Sequence, residues 1–349
     1  MKRYITVLLI SMLTAGISLA GEPEKYIPKT AKKREKYATT EPGTYLKPAA
    51  SFILERIKKI MEDSTAKEPG PWVRNMFSPN QKKQLDTLLS YNELEVPVRI
   101  YYPNRKSLQG GQPAIVYLHG GGFVLGSVEQ YHTMVSKLAS TTGQLIVSVD
   151  YRLAPEHPYP AALEDCYAIL RWMQNYGTRI GADTTKITIM GDSAGGNLAT
   201  VLTLMCRDRG NPQPRFQVLL YPAVTFMDGD YPSMDYFLKD PKLTYMLSES
   251  FLSRVRSAYK GETGSDQDPY ISPLEASLSD ELAPALIISA ECDPLRDSER
   301  AYARKLKNAG IEVKHIEYSG MIHGFMSFHM ILKDARDAMR EIRDFLDGN

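Results

Sequence analysis

The chain has 349 residues, of which 43% are hydrophobic and 24% are charged, as in an ordinary globular protein. Its length suits one large domain with an elaboration, or two domains. The formal net charge of +1 gives no reason to expect a polyanionic partner such as a nucleic acid.

The N-terminal residues have the pattern of a secretory signal peptide. Lys2 and Arg3 precede an apolar run over 5–19, and small residues, Ser18 and Ala20, precede the expected cleavage point. The run is shorter than the roughly 20 residues of a membrane span, and no cysteine follows it to direct lipoprotein processing. We therefore expect a signal peptide over 1–20, cleaved after Ala20, and a periplasmic or secreted protein with no stable membrane span. An uncleaved anchor is the alternative.

The segments that follow the predicted signal peptide precede the first predicted strand. Residues 21–47 are polar and aperiodic and are interpreted as a linker or arm, with a solvated basic run at 29–36. An amphipathic helix is predicted at 48–62 and a loop at 67–80.

Apolar or alternating runs predict strands at 96–102, 114–118, 145–149, 187–190, 218–221, 285–288 and 313–318. Helical patterns occupy 131–141, 159–176, 196–209, 296–309 and 333–346. This alternation is typical of a parallel sheet covered by helices on both faces.

One connection is much longer than the others. The strands ending near 221 and beginning near 284 are separated by a segment whose apolar part spans 225–281 and contains a helical stretch at 247–259. Ordinary connections between strand and helix in such folds take about 2–6 residues. We interpret the segment as an insertion that forms a helical cap over the strand ends, together with residues 48–80, within a single domain over 48–349.

Gly191 to Gly195 form the pattern G-x-S-x-G between a strand and a helix. A serine in that position lies on a sharp turn that exposes its hydroxyl at the edge of the sheet, and the N–H of the next residue, Ala194, can bind an oxyanion. Gly and Asp also serve ordinary turns, so the motif needs partners to indicate catalysis. Ser193 is the candidate nucleophile, and it requires a base.

Residues after the last two predicted strands can supply the base and an acid. His323 lies between glycines in a loop, whereas the other five histidines fall in helices, a strand or other loops. Asp293 follows the preceding strand and could hold the imidazole in the correct tautomer. Glu291 and Asp297 compete with Asp293 for this role, although Asp297 also suits a helix start. The chain order Ser193, Asp293, His323 is that of α/β-hydrolases.

A glycine-rich loop, His119 to Phe123, follows the strand at 114–118. Consecutive glycines let N–H groups approach a ligand, and a tetrahedral oxyanion needs such donors. Gly121, Gly122 and Ala194 are the candidate oxyanion donors. A flexible loop or a phosphate cradle is the alternative, but Leu125 occupies the position where a dinucleotide motif requires its third glycine.

The three cysteines, Cys166, Cys206 and Cys292, lack the spacing of metal ligands. We therefore infer no zinc site and expect at least one free thiol, since the count is odd.

Taken together, five ordered motifs resemble the hormone-sensitive-lipase-like family of α/β-hydrolases, the bacterial esterases with a GDSAG motif. They are HGGGF from His119, DYRLAPE from Asp150, GDSAGG from Gly191, DPL from Asp293 and HGF from His323. The resemblance covers roughly 95–345. It implies an α/β-hydrolase fold with an eight-stranded, mostly parallel sheet, a cap built from N-terminal helices and an insertion, and hydrolysis of carboxylic esters, usually of short acyl chains, without a cofactor. It assigns catalysis to Ser193, Asp293 and His323 and the oxyanion hole to Gly121, Gly122 and Ala194.

The sequence therefore predicts a serine carboxylesterase that acts on small-molecule esters of short to medium acyl chain length. A serine peptidase or amidase on the same scaffold is the first alternative, and a ligand-binding protein on a non-catalytic hydrolase fold is the second. The oligomeric state is open, with a homodimer as one alternative.

Overall fold

The computed structural model describes residues 38–41, 43–61, 84–103, 111–243 and 247–348. The predicted signal peptide, the arm up to residue 37 and the loop predicted at 67–80 lie outside the described residues.

The centre of the molecule is an eight-stranded sheet with strand order β1-β2-β4-β3-β5-β6-β7-β8. The strands are β1 Gln84–Tyr91, β2 Leu94–Tyr101, β3 Gln112–Leu118, β4 Leu145–Val149, β5 Ala182–Asp192, β6 Phe216–Leu220, β7 Ala285–Cys292 and β8 Val313–Ile322. Pairing is antiparallel between β1 and β2 and between β2 and β4, and parallel in all remaining pairs. The mostly parallel eight-stranded sheet predicted above is confirmed.

The helices lie on both faces of this sheet. They are α1 Pro48–Met61, α2 His132–Thr142, α3 Ala161–Tyr176, α4 Ala194–Asp208, α5 Pro232–Leu238, α6 Glu249–Lys260, α7 Arg296–Asn308 and α8 Lys333–Gly348. Alternate residues of β3 belong to separate cores: Val116 packs in one with α3, α4 and α7, and Ile115 in the other with α1, α2 and α8. Both faces of the central strands are therefore buried, which is why these strands appear in the sequence as continuous apolar runs.

The first strand, β1, was not apparent in the sequence. It is an edge strand in which only Leu89 is buried, so its apolar residues do not alternate. It reaches β2 through a tight turn at Asn92 and Glu93, both with positive φ, the conformation that two-residue hairpin turns require. Without a buried face, such a strand leaves no periodic signal.

The end of the predicted arm packs on the domain. Ala38 and Tyr45 form a β-bridge, and the N–H of Lys47 donates to the carbonyl of Gly320 at 3.3 Å. Leu46 is buried in the same core as the apolar face of α1. Residues 38–41 and 43–47 therefore form an ordered hairpin that leads into α1 beside β8.

Candidate active site

Ser193 occupies a tight turn between β5 and α4. Its backbone has φ 54° and ψ −116°, a combination that an L residue adopts only when its surroundings impose it. A Cβ on Gly191 would lie 2.1 Å from the carbonyl oxygen of Gly195, and a Cβ on Gly195 would lie 2.0 Å from that of Leu118. The two glycines of the motif are required because the turn brings backbone against backbone.

Three side chains from three strand ends meet at this turn. Nε2 of His323 lies 2.8 Å from Oγ of Ser193, and Nδ1 of His323 lies 2.7 Å from Oδ2 of Asp293. His323 and Asp293 are buried. A carboxylate accepts at Nδ1, so the neutral ring carries its proton there and leaves Nε2 free to take the serine proton.

The structure separates the three candidate acids. The second oxygen of Asp293, Oδ1, accepts the N–H of Leu295 at 2.9 Å, which orients its carboxylate. Glu291 accepts the N–H of Gly320 instead, and Asp297 accepts the N–H of Ser233 at 2.8 Å. Only Asp293, among these three, lies against His323.

The glycine loop lies beside the serine. Gly122 and Ala194 line the same cavity as Ser193 and His323, whereas Gly121 is not part of that lining. Gly121 and Gly122 have φ of +126° and +60°, values at which a side chain would be strained. Ala194 is the first residue of α4, so its N–H has no acceptor within the helix. Gly122 and Ala194 therefore lie on the same cavity as Ser193, and the role of Gly121, Gly122 and Ala194 as oxyanion donors stays a prediction.

Asp192 links the glycine loop to the serine turn, a function that the sequence analysis did not identify. Its Oδ1 accepts the N–H of Gly120 at 2.8 Å and the hydroxyl of Tyr117 at 2.6 Å, and its Oδ2 accepts the hydroxyl of Tyr131 at 3.1 Å. Burial raises the pKa of Asp192 to about 6, against the opposing effect of these three donors. In the sequence, the one indication of this linking role was the position of Asp192 next to Ser193 in the motif.

Two further aromatic residues, also absent from the sequence prediction, hold the site. The ring of Tyr221 packs edge-on to the His323 ring, with centroids 5.0 Å apart. The ring of Tyr151 stacks on that of His119 at 4.3 Å, and its hydroxyl donates to the carbonyl of His119 at 2.6 Å. These contacts restrict the orientation of the His323 ring and of the glycine loop.

A cavity of about 500 Å³ opens onto Ser193. Most of its walls come from the insertion between β6 and β7, with apolar side chains at Phe226, Met234, Leu238, Leu247, Phe251, Leu252 and Val255. Charged side chains also line it, at Asp228, Asp235, Lys239, Glu249 and Arg256. None of the described residues of α1 belongs to this lining, so the contribution of 48–80 to a cap stays a prediction.

Among the described residues, no group of three or more His, Cys, Asp or Glu side chains is arranged to hold a metal ion. The three cysteines are buried, and no disulfide bond joins any two of them. No helix within the described ranges is long and apolar enough to cross a membrane.

The chain is similar to known proteins in sequence and in fold. The profile of the alpha/beta hydrolase fold family matches residues 115–327. A carboxylesterase of Mycobacterium tuberculosis, NlhH, is 37% identical over 244 residues, 70% of this chain and 75% of that protein. Ethyl acetate hydrolase of Pseudomonas putida is 36% identical over 245 residues, 70% and 76% of the two chains. The structure of a hyperthermophilic esterase from Pyrobaculum calidifontis superposes with a TM-score of 0.77 at 36% identity, covering 87% of this chain and 98% of that one.

Proposed function

We propose that this chain, which belongs to the hormone-sensitive-lipase-like family of α/β-hydrolases and is a carboxylic ester hydrolase, acts through an acyl-enzyme on Ser193. The observation that carries the proposal is the pair of short contacts, 2.8 Å from Ser193 to His323 and 2.7 Å from His323 to Asp293, at the floor of a cavity of about 500 Å³.

In the first half of the reaction, Oγ of Ser193 attacks the ester carbonyl while Nε2 of His323 takes its proton. Asp293 stays ionised and accepts the Nδ1–H, which stabilises the imidazolium that forms. The carbonyl oxygen becomes an oxyanion that the N–H groups of Gly121, Gly122 and Ala194 bind. When the tetrahedral intermediate collapses, the carbon–oxygen bond to the alcohol breaks and His323 gives its proton to the leaving alkoxide.

In the second half, a water molecule attacks the acyl group on Ser193 and His323 takes a proton from it. The second tetrahedral intermediate uses the same donors, and its collapse releases the carboxylic acid and returns the proton to Oγ of Ser193. Each preorganised donor of this kind contributes about 2.7–4 kcal/mol in the transition state.

Substrates of this site are small-molecule esters of short to medium acyl chain length. Cavities of about 300–1,000 Å³ enclose ligands of small to medium size, and apolar side chains of the insertion provide most of the wall here. The name of the Pseudomonas putida relative, ethyl acetate hydrolase, supports the short end of this range.

The test is hydrolysis of p-nitrophenyl esters by the purified protein. We expect turnover of the acetate and butyrate, and a loss on the order of 10⁴-fold or more in kcat for Ser193→Ala. A series of acyl chain lengths measures the upper limit of the cavity, and p-nitroanilides of the same acids measure amide cleavage. Equal ester turnover by Ser193→Ala would refute the nucleophile assignment, and faster cleavage of the anilides would favour an amidase.

For the location of the enzyme, we propose export through the N-terminal signal of residues 1–20, because a charged start, an apolar run and a small-residue site occur in that order. Expressed with its full N-terminus in a bacterium, the protein is expected outside the cytoplasm, with Gly21 as its first residue by mass spectrometry. Full-length protein retained in the cytoplasm would contradict export.

A further inference from the structure

Helix α6 of the insertion packs directly against the glycine loop. A Cβ on Gly122 would lie 2.8 Å from a methyl carbon of Val255 and 3.5 Å from the ring of Phe251. Both side chains also line the cavity. The insertion therefore contacts the backbone that carries the candidate oxyanion donors, as well as shaping the space for substrate.

The next residue, Phe123, holds the loop in an unusual conformation. Its φ is +62°, in the left-handed region that residues with a side chain disfavour. Its carbonyl accepts the N–H of Ala154 at 2.9 Å, and its buried ring stacks on Tyr259 of α6, with centroids 3.6 Å apart and planes 11° apart. Because the backbone alone disfavours this conformation, contacts such as these must maintain it.

The side chain of Tyr259 makes its contacts through its ring and not through its hydroxyl. The side chain is buried, and its hydroxyl has no hydrogen-bond partner among the described residues. The carbonyl of Tyr259 accepts the N–H of Tyr159 at 2.8 Å, and the Tyr159 ring lies edge-on to that of Tyr259, with centroids 6.0 Å apart. The Tyr259 ring thus contacts both the segment before α3 and the glycine loop.

We propose that Tyr259 is a positioning residue for the oxyanion hole. By stacking on Phe123, it keeps Phe123 in the left-handed conformation, and this holds in place the adjoining backbone of Gly122, whose N–H binds the oxyanion. The inference rests on the proposed ester hydrolysis. It assigns to the insertion a part in transition-state stabilisation in addition to substrate binding.

This role predicts which kinetic constant changes. An oxyanion donor interacts more strongly with the transition state than with the bound ester, so its displacement lowers kcat and leaves KM nearly unchanged. Complete loss of one donor costs about 10²–10³ in kcat, and we expect about tenfold when the donor is displaced rather than removed. A residue that only shaped the pocket would change KM instead.

The experiment compares Tyr259→Leu with Tyr259→Phe on p-nitrophenyl butyrate. We expect Tyr259→Leu to lose about tenfold in kcat at constant KM, and Tyr259→Phe to keep the wild-type kcat, because it retains the ring and lacks only an unpartnered hydroxyl. A trifluoromethyl ketone, which forms a tetrahedral adduct with the serine, should lose affinity for Tyr259→Leu by the same factor. Tyr302→Leu, at a buried tyrosine on α7 outside the cavity lining, is the matched control and should keep the wild-type kcat.

If Tyr259→Leu does not fold, Phe123→Leu removes the same stack from the other partner and should give the same kcat effect. Wild-type kcat in the folded Leu variants, a loss confined to KM, or an equal loss in Tyr259→Phe would each overturn the proposal. Ser193→Ala belongs in the same series. If Ser193→Ala kept turnover, the proposed function would fail, whereas an inactive Ser193→Ala beside a fully active Tyr259→Leu would refute the role of Tyr259 alone.

Discussion

At the scale of single residues, Asp192 connects the two halves of the proposed catalytic apparatus. It directly precedes Ser193, and its carboxylate accepts the N–H of Gly120 and the hydroxyls of Tyr117 and Tyr131. A Cβ on Gly120 would lie 2.5 Å from Oδ2 of Asp192, so only glycine allows this approach. The acidic residue in the motif therefore fixes the distance between the glycine loop and Ser193.

The raised pKa of Asp192 makes the stability of the protein depend on pH. Burial raises this pKa from 3.8 to about 6, so the folded protein binds a proton more tightly than the unfolded chain. Between those pH values, unfolding releases that proton and stability falls as the pH rises, by up to about 3 kcal/mol in total. Above about pH 6 this contribution is constant.

Asp192→Asn is expected to lose this pH dependence while keeping an acceptor oxygen for Gly120 and Tyr117. The difference in unfolding free energy between variant and wild type should therefore shift in favour of the variant from pH 4 to pH 7, by up to about 3 kcal/mol. Urea denaturation at a series of pH values measures it. A difference that stayed constant over this range would show that Asp192 is ionised equally in both states.

At the scale of secondary-structure elements, the predictable strands are those that are buried on both faces. β3, β4 and β6 appear as apolar runs, and the turns after β5, β7 and β8 carry the motif residues, so Ser193, Asp293 and His323 could be placed from the sequence. β1 could not, because exposed Leu85 and Leu88 interrupt any alternation. The glycine motifs were readable because backbone atoms there leave no room for a side chain.

The conformation of the insertion was beyond sequence analysis for a different reason. Its helix α6 was predicted from periodicity over 247–259, close to the observed Glu249–Lys260. Its contact with the glycine loop depends on Phe123 and Tyr259, which are 136 positions apart in the chain and form a stack that no local pattern encodes. Contacts between residues far apart in the chain shape the walls of the cavity. The substrate is therefore the property that is hardest to predict from the sequence.

At the scale of the whole molecule, the hairpin of residues 38–41 and 43–47 joins three regions. The N–H of Thr40 donates to Asp240 in the insertion at 2.8 Å, and Glu41 accepts two hydrogen bonds from Arg296, at 2.6 and 2.8 Å, three residues after Asp293. Lys47 donates to Gly320 on β8. A segment interpreted as a linker or arm thus fastens the insertion to the strand ends that carry Asp293 and His323.

Glu41→Gln tests how much this fastening stabilises the fold. The Arg296 side chain is 3% exposed, and Glu41→Gln replaces one of its two carboxylate partners by a neutral amide. The buried cation then keeps Asp297 as its anionic partner, beside the carbonyl of Glu291 and the ring of Phe237, whose centroid is 5.3 Å away. Hydrogen bonds to charged groups contribute about 1.5–3 kcal/mol, and we expect a loss of that size in guanidinium denaturation. Glu164→Gln is the control, since Glu164 meets Arg152 at 3.4 Å with 56% of its side chain exposed, and such pairs contribute about 0–1 kcal/mol. Equal guanidinium denaturation midpoints for the two variants would show that the contact between the hairpin and Arg296 does not stabilise the fold.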